Sequence, residues 1–78
     1  MIKKNRIIKC LENVFTSNNL TEESNSENTL GWDSVGTINL VMEIEKEFKV
    51  KIKSNEIINI QSYSNIKSIL TKKGIKID

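Results

Sequence analysis

Leu30-Gly31-Trp32-Asp33-Ser34-Val35 is where this chain changes from loop to helix. A glycine and a tryptophan lead into an acid–serine pair, and an apolar-periodic stretch follows at once and runs to Phe48. At about 100° per residue, Thr37, Leu40, Val41, Ile44 and Phe48 fall in one stripe, the expected core face. Val35, Ile38 and Met42 fall in a second stripe, rotated by roughly a quarter to a third of a turn. That second stripe has two readings of equal weight. It packs beneath the preceding loop, or it stays exposed as a docking surface.

Upstream, Ile7, Ile8, Leu11, Val14 and Phe15 recur at helical spacing and predict a first helix, roughly Lys3 to Thr16. Lys3, Lys4, Arg6 and Lys9 lie mostly on its wet side. Cys10 is expected to be a packing or half-exposed residue, because no partner group for a reactive thiol is evident. Ser17-Asn18-Asn19 ends the helix, since short polar side chains compete for backbone hydrogen bonds. A long loop then spans Asn18 to Asp33, with Leu20, Leu30 and Trp32 as its expected apolar anchors. Loops of this length in small domains are often functional. Glu22, Glu23 and Glu27 read as solvated loop surface, without the spacing of a calcium loop.

Downstream, Lys49-Val50-Lys51-Ile52-Lys53 alternates charged and apolar residues. Its shortness and isolation predict an extended connector with Val50 and Ile52 turned inward. Ser54 is expected to cap a short third helix through Ile57, Ile58 and Ile60. Ser62 is expected to cap a last helix, in which Tyr63, Ile66, Ile69 and Leu70 recur on one face. Gly74 ends it, and a frayed tail, Ile75 to Asp78, follows. Apolar residues thus recur at helical spacing throughout, and proline is absent. An all-α domain is expected.

Seventy-eight residues make one domain, 1–78, with a small core and little room for a deep catalytic pocket. A single cysteine allows no disulfide framework within the chain. The absence of histidine removes His-based metal sites and general bases, and no metal site is expected. No apolar run has membrane-spanning length, and the N-terminus shows no signal-peptide pattern. A cytoplasmic monomer is the simplest expectation. The net charge of +2 conceals a division. Between Cys10 and Phe48 the only base is Lys46 among eight acids, and the other Lys and Arg lie towards the ends. A basic stripe interleaved with aromatics, the mark of a nucleic-acid surface, is missing from the central helix.

Ser34 is poorly equipped as a nucleophile. There is no histidine to act as its base, and Lys46 lies on the far side of the helix. Trp32-Asp33-Ser34-Val35-Gly36 also lacks the first glycine of a hydrolase elbow. Capping of the helix by Asp33 or Ser34 accounts for the pair structurally. On that feature alone capping is the better reading; with the apolar second stripe along the next turns, a serine carrying a phosphodiester gains weight, because free N–H groups and the positive dipole end favour phosphate there. Asp33 would then help hold a divalent ion for an attaching enzyme.

Leu30-Gly31-x-Asp33-Ser34-Val35 resembles the L-G-x-D-S-L motif of the acyl/peptidyl carrier protein family. The similarity continues through Thr37, Leu40, Val41, Ile44, Glu45 and Phe48, to Ile52, and to Tyr63 and Ile66. It implies a four-helix bundle of acyl-carrier-protein type, with a short third helix and a long loop between the first two. It further implies 4′-phosphopantetheine on Ser34, attached by a holo-carrier-protein synthase (a phosphopantetheinyl transferase) that takes it from coenzyme A. A loading ligase and downstream transferases or synthases are the other implied partners, with no nucleic acid among them. The arm's thiol would bear an acyl or aminoacyl group as a thioester, and the protein would be a non-catalytic shuttle serving fatty acid, polyketide or nonribosomal peptide biosynthesis or a related specialised pathway.

Asp33 and Ser34 are therefore the expected prosthetic-group residues, and Val35, Ile38, Asn39, Met42, Glu45 and Lys46 the expected docking residues. The chain departs from the family pattern in three ways. Val35 replaces the usual leucine, Trp32 stands where many fatty-acid carriers have a small residue, and Gly36, Asn39 and Lys46 occupy positions often acidic there. The Ser34-Val35-Gly36-Thr37 run is similar to that of D-alanyl carriers. The competing reading is a small helical regulatory or nucleic-acid-binding protein that uses its basic termini.

Overall fold

The computed structural model describes residues 5–16 and 20–77. Four helices follow one another: α1 (Arg6–Val14), α2 (Ser34–Phe48), α3 (Ser54–Ile57) and α4 (Tyr63–Lys72). The described residues contain no strand, only an isolated antiparallel bridge between Asn25 and Ser62. No helix among them is long and apolar enough to cross a membrane.

α1 is shorter than its periodicity predicts. Asn5 stops it at the N-terminal side, its side-chain oxygen accepting from the Ile8 N–H at 2.9 Å. Phe15 ends it in an extended conformation, so Thr16 lies outside the helix. Lys3, Lys4 and the predicted Ser17-Asn18-Asn19 stop fall outside the described residues. Ile7 and Leu11 enter the core, and Cys10 is buried with them. Burial pushes the Cys10 thiol up to about 12, helped by the negative charges of Glu47 and Glu43.

The core face of α2 is buried at Leu40, Val41, Ile44 and Phe48, while Thr37 is only partly covered. Val35, Ile38 and Met42 are 70%, 50% and 60% exposed, so the second stripe is left largely uncovered by the described residues. Lys49 closes the helix in the left-handed conformation at φ 55°. Arg6 joins the start of α1 to the end of α2. Its Nε donates to Glu47 Oε2 at 2.8 Å, and its guanidinium lies 4.4 Å from the centre of the Phe48 ring.

The connector behaves as expected, with Ile52 buried, Val50 partly buried and the three lysines exposed. The Ile52 N–H donates to Glu45 Oε2 at 2.8 Å. The cap of α3 corrects the sequence reading. Ser54 is the first helical residue, and Lys53 holds the cap position. The Lys53 N–H donates to Glu56 Oε1, and Lys73 Nζ pairs with the same oxygen at 2.9 Å. These two contacts, the backbone one first, hold the Glu56 carboxyl below its ordinary range. α3 also stops at Ile57, and Ile58 is 70% exposed.

Ser62 caps α4 as predicted, its Oγ accepting from the Asn65 N–H at 3.0 Å. Gly74 at φ 84° closes it. The Gly74 N–H donates to Thr71 O and the Ile75 N–H to Leu70 O, the paired pattern of a Schellman end. That turn returns the chain to the core. Ile75 and Ile77 pack against it, which corrects the expected fraying from Ile75 on, while Asp78 lies outside the described residues.

The two faces of α2 should respond oppositely to truncation. Leu40→Ala or Ile44→Ala should lower unfolding free energy by about 2–5 kcal/mol each in urea titrations. Val35→Ala, Ile38→Ala and Met42→Ala should each stay within about 0.5 kcal/mol of the wild type.

Candidate functional site

The site begins with how the loop delivers Asp33. Trp32 is buried, its ring stacked on Phe15 with centroids 5.1 Å apart and planes 20° from parallel. Its Nε1–H donates to the Ile60 carbonyl at 3.3 Å. Gly31, at φ 90°, turns the chain just before it. The same turn lifts Leu30 outward to 82% exposure, so Leu30 is not the anchor its hydrophobicity predicts. Leu20 is half-buried against the core.

The rest of the loop is held by its polar residues. Asn25 Oδ1 accepts from the N–H groups of Glu27 and Asn28, and Asn28 Oδ1 accepts from the Asn25 N–H. Backbone bonds from Ser26 to Gln61 and from Tyr63 to Ser24 dock the loop on the α3–α4 junction. Sequence reading treats Glu22, Glu23 and Glu27 as solvated surface, and all three are exposed. The reciprocal Asn25–Asn28 pairing is the signal it leaves unused.

Between Asp33 and Ser34 the cap is resolved. Asp33 is the N-cap, with Oδ1 accepting from the Gly36 N–H at 2.9 Å and its carbonyl from the Thr37 N–H at 2.8 Å. Ser34 is the first helical residue and is exposed, so its hydroxyl is not spent on capping. Its own N–H and that of Val35 lead the helix, where no intrahelical carbonyl reaches them. An anion attached at this hydroxyl would face the positive end of a helix of 15 residues.

Gly36 is a further constraint that sequence reading misses. A Cβ there would lie 2.0 Å from the Gly31 carbonyl oxygen and 3.0 Å from the Phe15 ring. The residue is buried, and only glycine lets the first turn of α2 close on the loop. Its signal is in space, not in spacing.

Ser34 lines an open cleft of about 490 Å³ between the start of α2 and the α3 segment. Asp33, Ile38, Trp32 and the isoleucines 57, 58 and 60 share it. A second groove, between α1 and α2, gathers Asn39, Met42 and Lys46 with Asn13, Val14 and Glu43. Val35 and Asn39 border a third hollow, beside Leu30 and Gly31. The expected docking residues therefore spread along α2 over three adjoining depressions. Glu45 stands apart from them. It is half-buried, and its carboxylate holds the connector through Ile52.

Gly36→Ala should cost about 1–3 kcal/mol of stability by overpacking. It should also shift the amide resonances of Gly31 to Asp33, seen in an NMR comparison with the wild type.

A family model described as a phosphopantetheine attachment site matches residues 6–70. No solved structure matches the chain.

Proposed function

The chain belongs to the phosphopantetheine attachment family, and from that membership we propose that Ser34 bears the 4′-phosphopantetheine of a non-catalytic carrier domain spanning 1–78. Domains of this family are where that group is covalently attached, and their general partners are phosphopantetheinyl transferases and biosynthetic enzymes. The observation that carries the assignment to Ser34 is its position. It offers an exposed hydroxyl as the first residue of α2, with Asp33 already serving as the cap. These residues fit the group. The phosphodiester would meet the leading N–H groups of the helix, and the rest of the arm would leave along the adjoining cleft.

On this reading the chain's residues do little chemistry themselves. In the transferase the Ser34 hydroxyl would accept the phosphopantetheinyl group of coenzyme A, with the adenosine bisphosphate half leaving and the hydroxyl proton passing to the transferase. Asp33, the preceding residue and the cap of α2, would help hold the transferase's divalent ion. When bound, the arm supplies a thiol that carries an acyl or aminoacyl group as a thioester. Tethering raises the effective concentration of that group at each partner enzyme.

Docking falls to the exposed face of α2. Val35, Ile38 and Met42 supply apolar contact, while Asn39, Lys46 and the peripheral Glu45 set its charge. Lys46 adds a positive charge within a largely acidic helix. The reading is of a dedicated partner set, distinct from enzymes whose basic surfaces select uniformly acidic carriers.

Co-expression with a promiscuous holo-synthase followed by intact-mass measurement tests the assignment. Wild type should gain the mass of one phosphopantetheine, and Ser34→Ala should fold and gain nothing. Modification of the alanine variant would sink the assignment. Asp33→Asn keeps a capping oxygen yet should slow modification, and an unchanged rate would reduce Asp33 to a cap.

Lys46 and Asn39 should govern partner choice. Asn39→Glu with Lys46→Glu should raise transfer rates with generic fatty-acid elongation enzymes and lower them with the cognate ligase. The difference should shrink as salt is added.

A further inference from the structure

The cleft beside Ser34 has a definite anatomy. Buried Trp32 and Ile60 form its floor, half-buried Ile57 its wall, and exposed Ile38 and Ile58 its rim. Ser26, Thr37 and Gln61 add polar groups to this apolar frame. Ile38 and Ile58 are the two large apolar side chains left exposed at its mouth. The mixture suits an amide-containing chain with methyl branches, whose attachment point stands at the cleft's edge.

Behind the floor the core is closed among the described residues. Leu40, Ile44, Ile66 and Leu70 are at most 1% exposed and form one continuous core with Trp32 and Ile60. The indole N–H is bonded to the Ile60 carbonyl, and the indole ring is stacked on Phe15. A chain entering through this floor would have to break that bond, unstack the rings and leave a buried donor unpaired.

We propose that this cleft holds the prosthetic arm and a short acyl or aminoacyl cargo at the surface, and that Trp32 bars long acyl chains from the helical interior. This rests on the reading of Ser34 as the attachment residue. Trp32 is then a specificity-determining residue, acting as a closed floor. The thioester stays in reach of water and of partner enzymes, and selection is for cargo that needs no apolar shelter.

The test uses the full chain, loaded by a promiscuous transferase with acetyl-, octanoyl- or dodecanoyl-phosphopantetheine from the corresponding coenzyme A thioesters. Intact mass first reports whether loading occurs. Failure to load refutes the carrier reading itself, and the remaining measurements address the cleft alone. In holo-protein, amide shift changes relative to apo should extend to Ile57, Ile58, Ile60 and Gln61. Changes confined to the neighbours of Ser34 would place the arm outside the cleft and overturn the proposal.

Thioester hydrolysis should agree within about twofold between acetyl and dodecanoyl forms, and melting temperatures should coincide, because methylene groups left in water add no stability. Dodecanoyl protection of roughly fivefold or more, with a raised melting temperature, would show burial of the chain and overturn the closed floor. Trp32→Phe keeps a ring against Phe15 but removes the N–H. It should let the dodecanoyl form gain protection that the acetyl form lacks. If it behaves as wild type does, Trp32 is not the barrier.

Discussion

One indole ring joins parts of the chain far apart in sequence. Trp32 stacks on Phe15 at the end of α1 and donates to Ile60 between α3 and α4, and the residue after it caps α2. An indole N–H buried without an acceptor is costly, so the Ile60 carbonyl is fixed relative to the first turn of α2. The stack fixes the end of α1 in the same frame. The direction of the Asp33 cap, and with it the exposure of Ser34, follows from these two contacts. Gly31 and Gly36 complete the constraint by letting loop backbone lie against helix backbone.

The loop between α1 and α2 is structural wherever it is described. Its asparagines satisfy one another and the backbone, and it lends two backbone hydrogen bonds to the α3–α4 junction. Among the described residues no buried side-chain nitrogen or oxygen lacks a partner. A core this small leaves little stability to offset an orphaned polar group, so polar satisfaction in the loop matters as much as apolar burial beneath it.

Much of this arrangement is legible in the residues. The two stripes of α2 follow from 100° steps, and only their surroundings decide that Val35, Ile38 and Met42 stay wet. Ser62 and Gly74 announce the ends of α4 by residue type. Other features escape because their cause is not in the residue itself. Leu30 looks like an anchor, but Gly31 turns the backbone beneath it. Ser54 looks like a cap, but Glu56 reaches back to the Lys53 N–H, so the informative residue lies three positions on. Ile75 and Ile77 look like a tail until the Schellman turn at Gly74 folds them inward. Gly36 looks like a departure from an acidic pattern, and its reason appears only when Gly31 is opposite. Ser34, by contrast, is singled out by motif alone, and the geometry adds that its hydroxyl is free of capping duty.

Cys10 gives the architecture a chemical consequence. A carrier of thioesters that also displayed a thiolate would be exposed to transthioesterification, with its cargo migrating onto its own side chain. Only the thiolate attacks at a useful rate. Here the one cysteine is buried among core residues, its thiol offered to the Glu43 carbonyl and kept protonated by burial and neighbouring carboxylates. The folded chain is thereby chemically silent towards the bond it would carry, and that silence lasts only while the core stays closed.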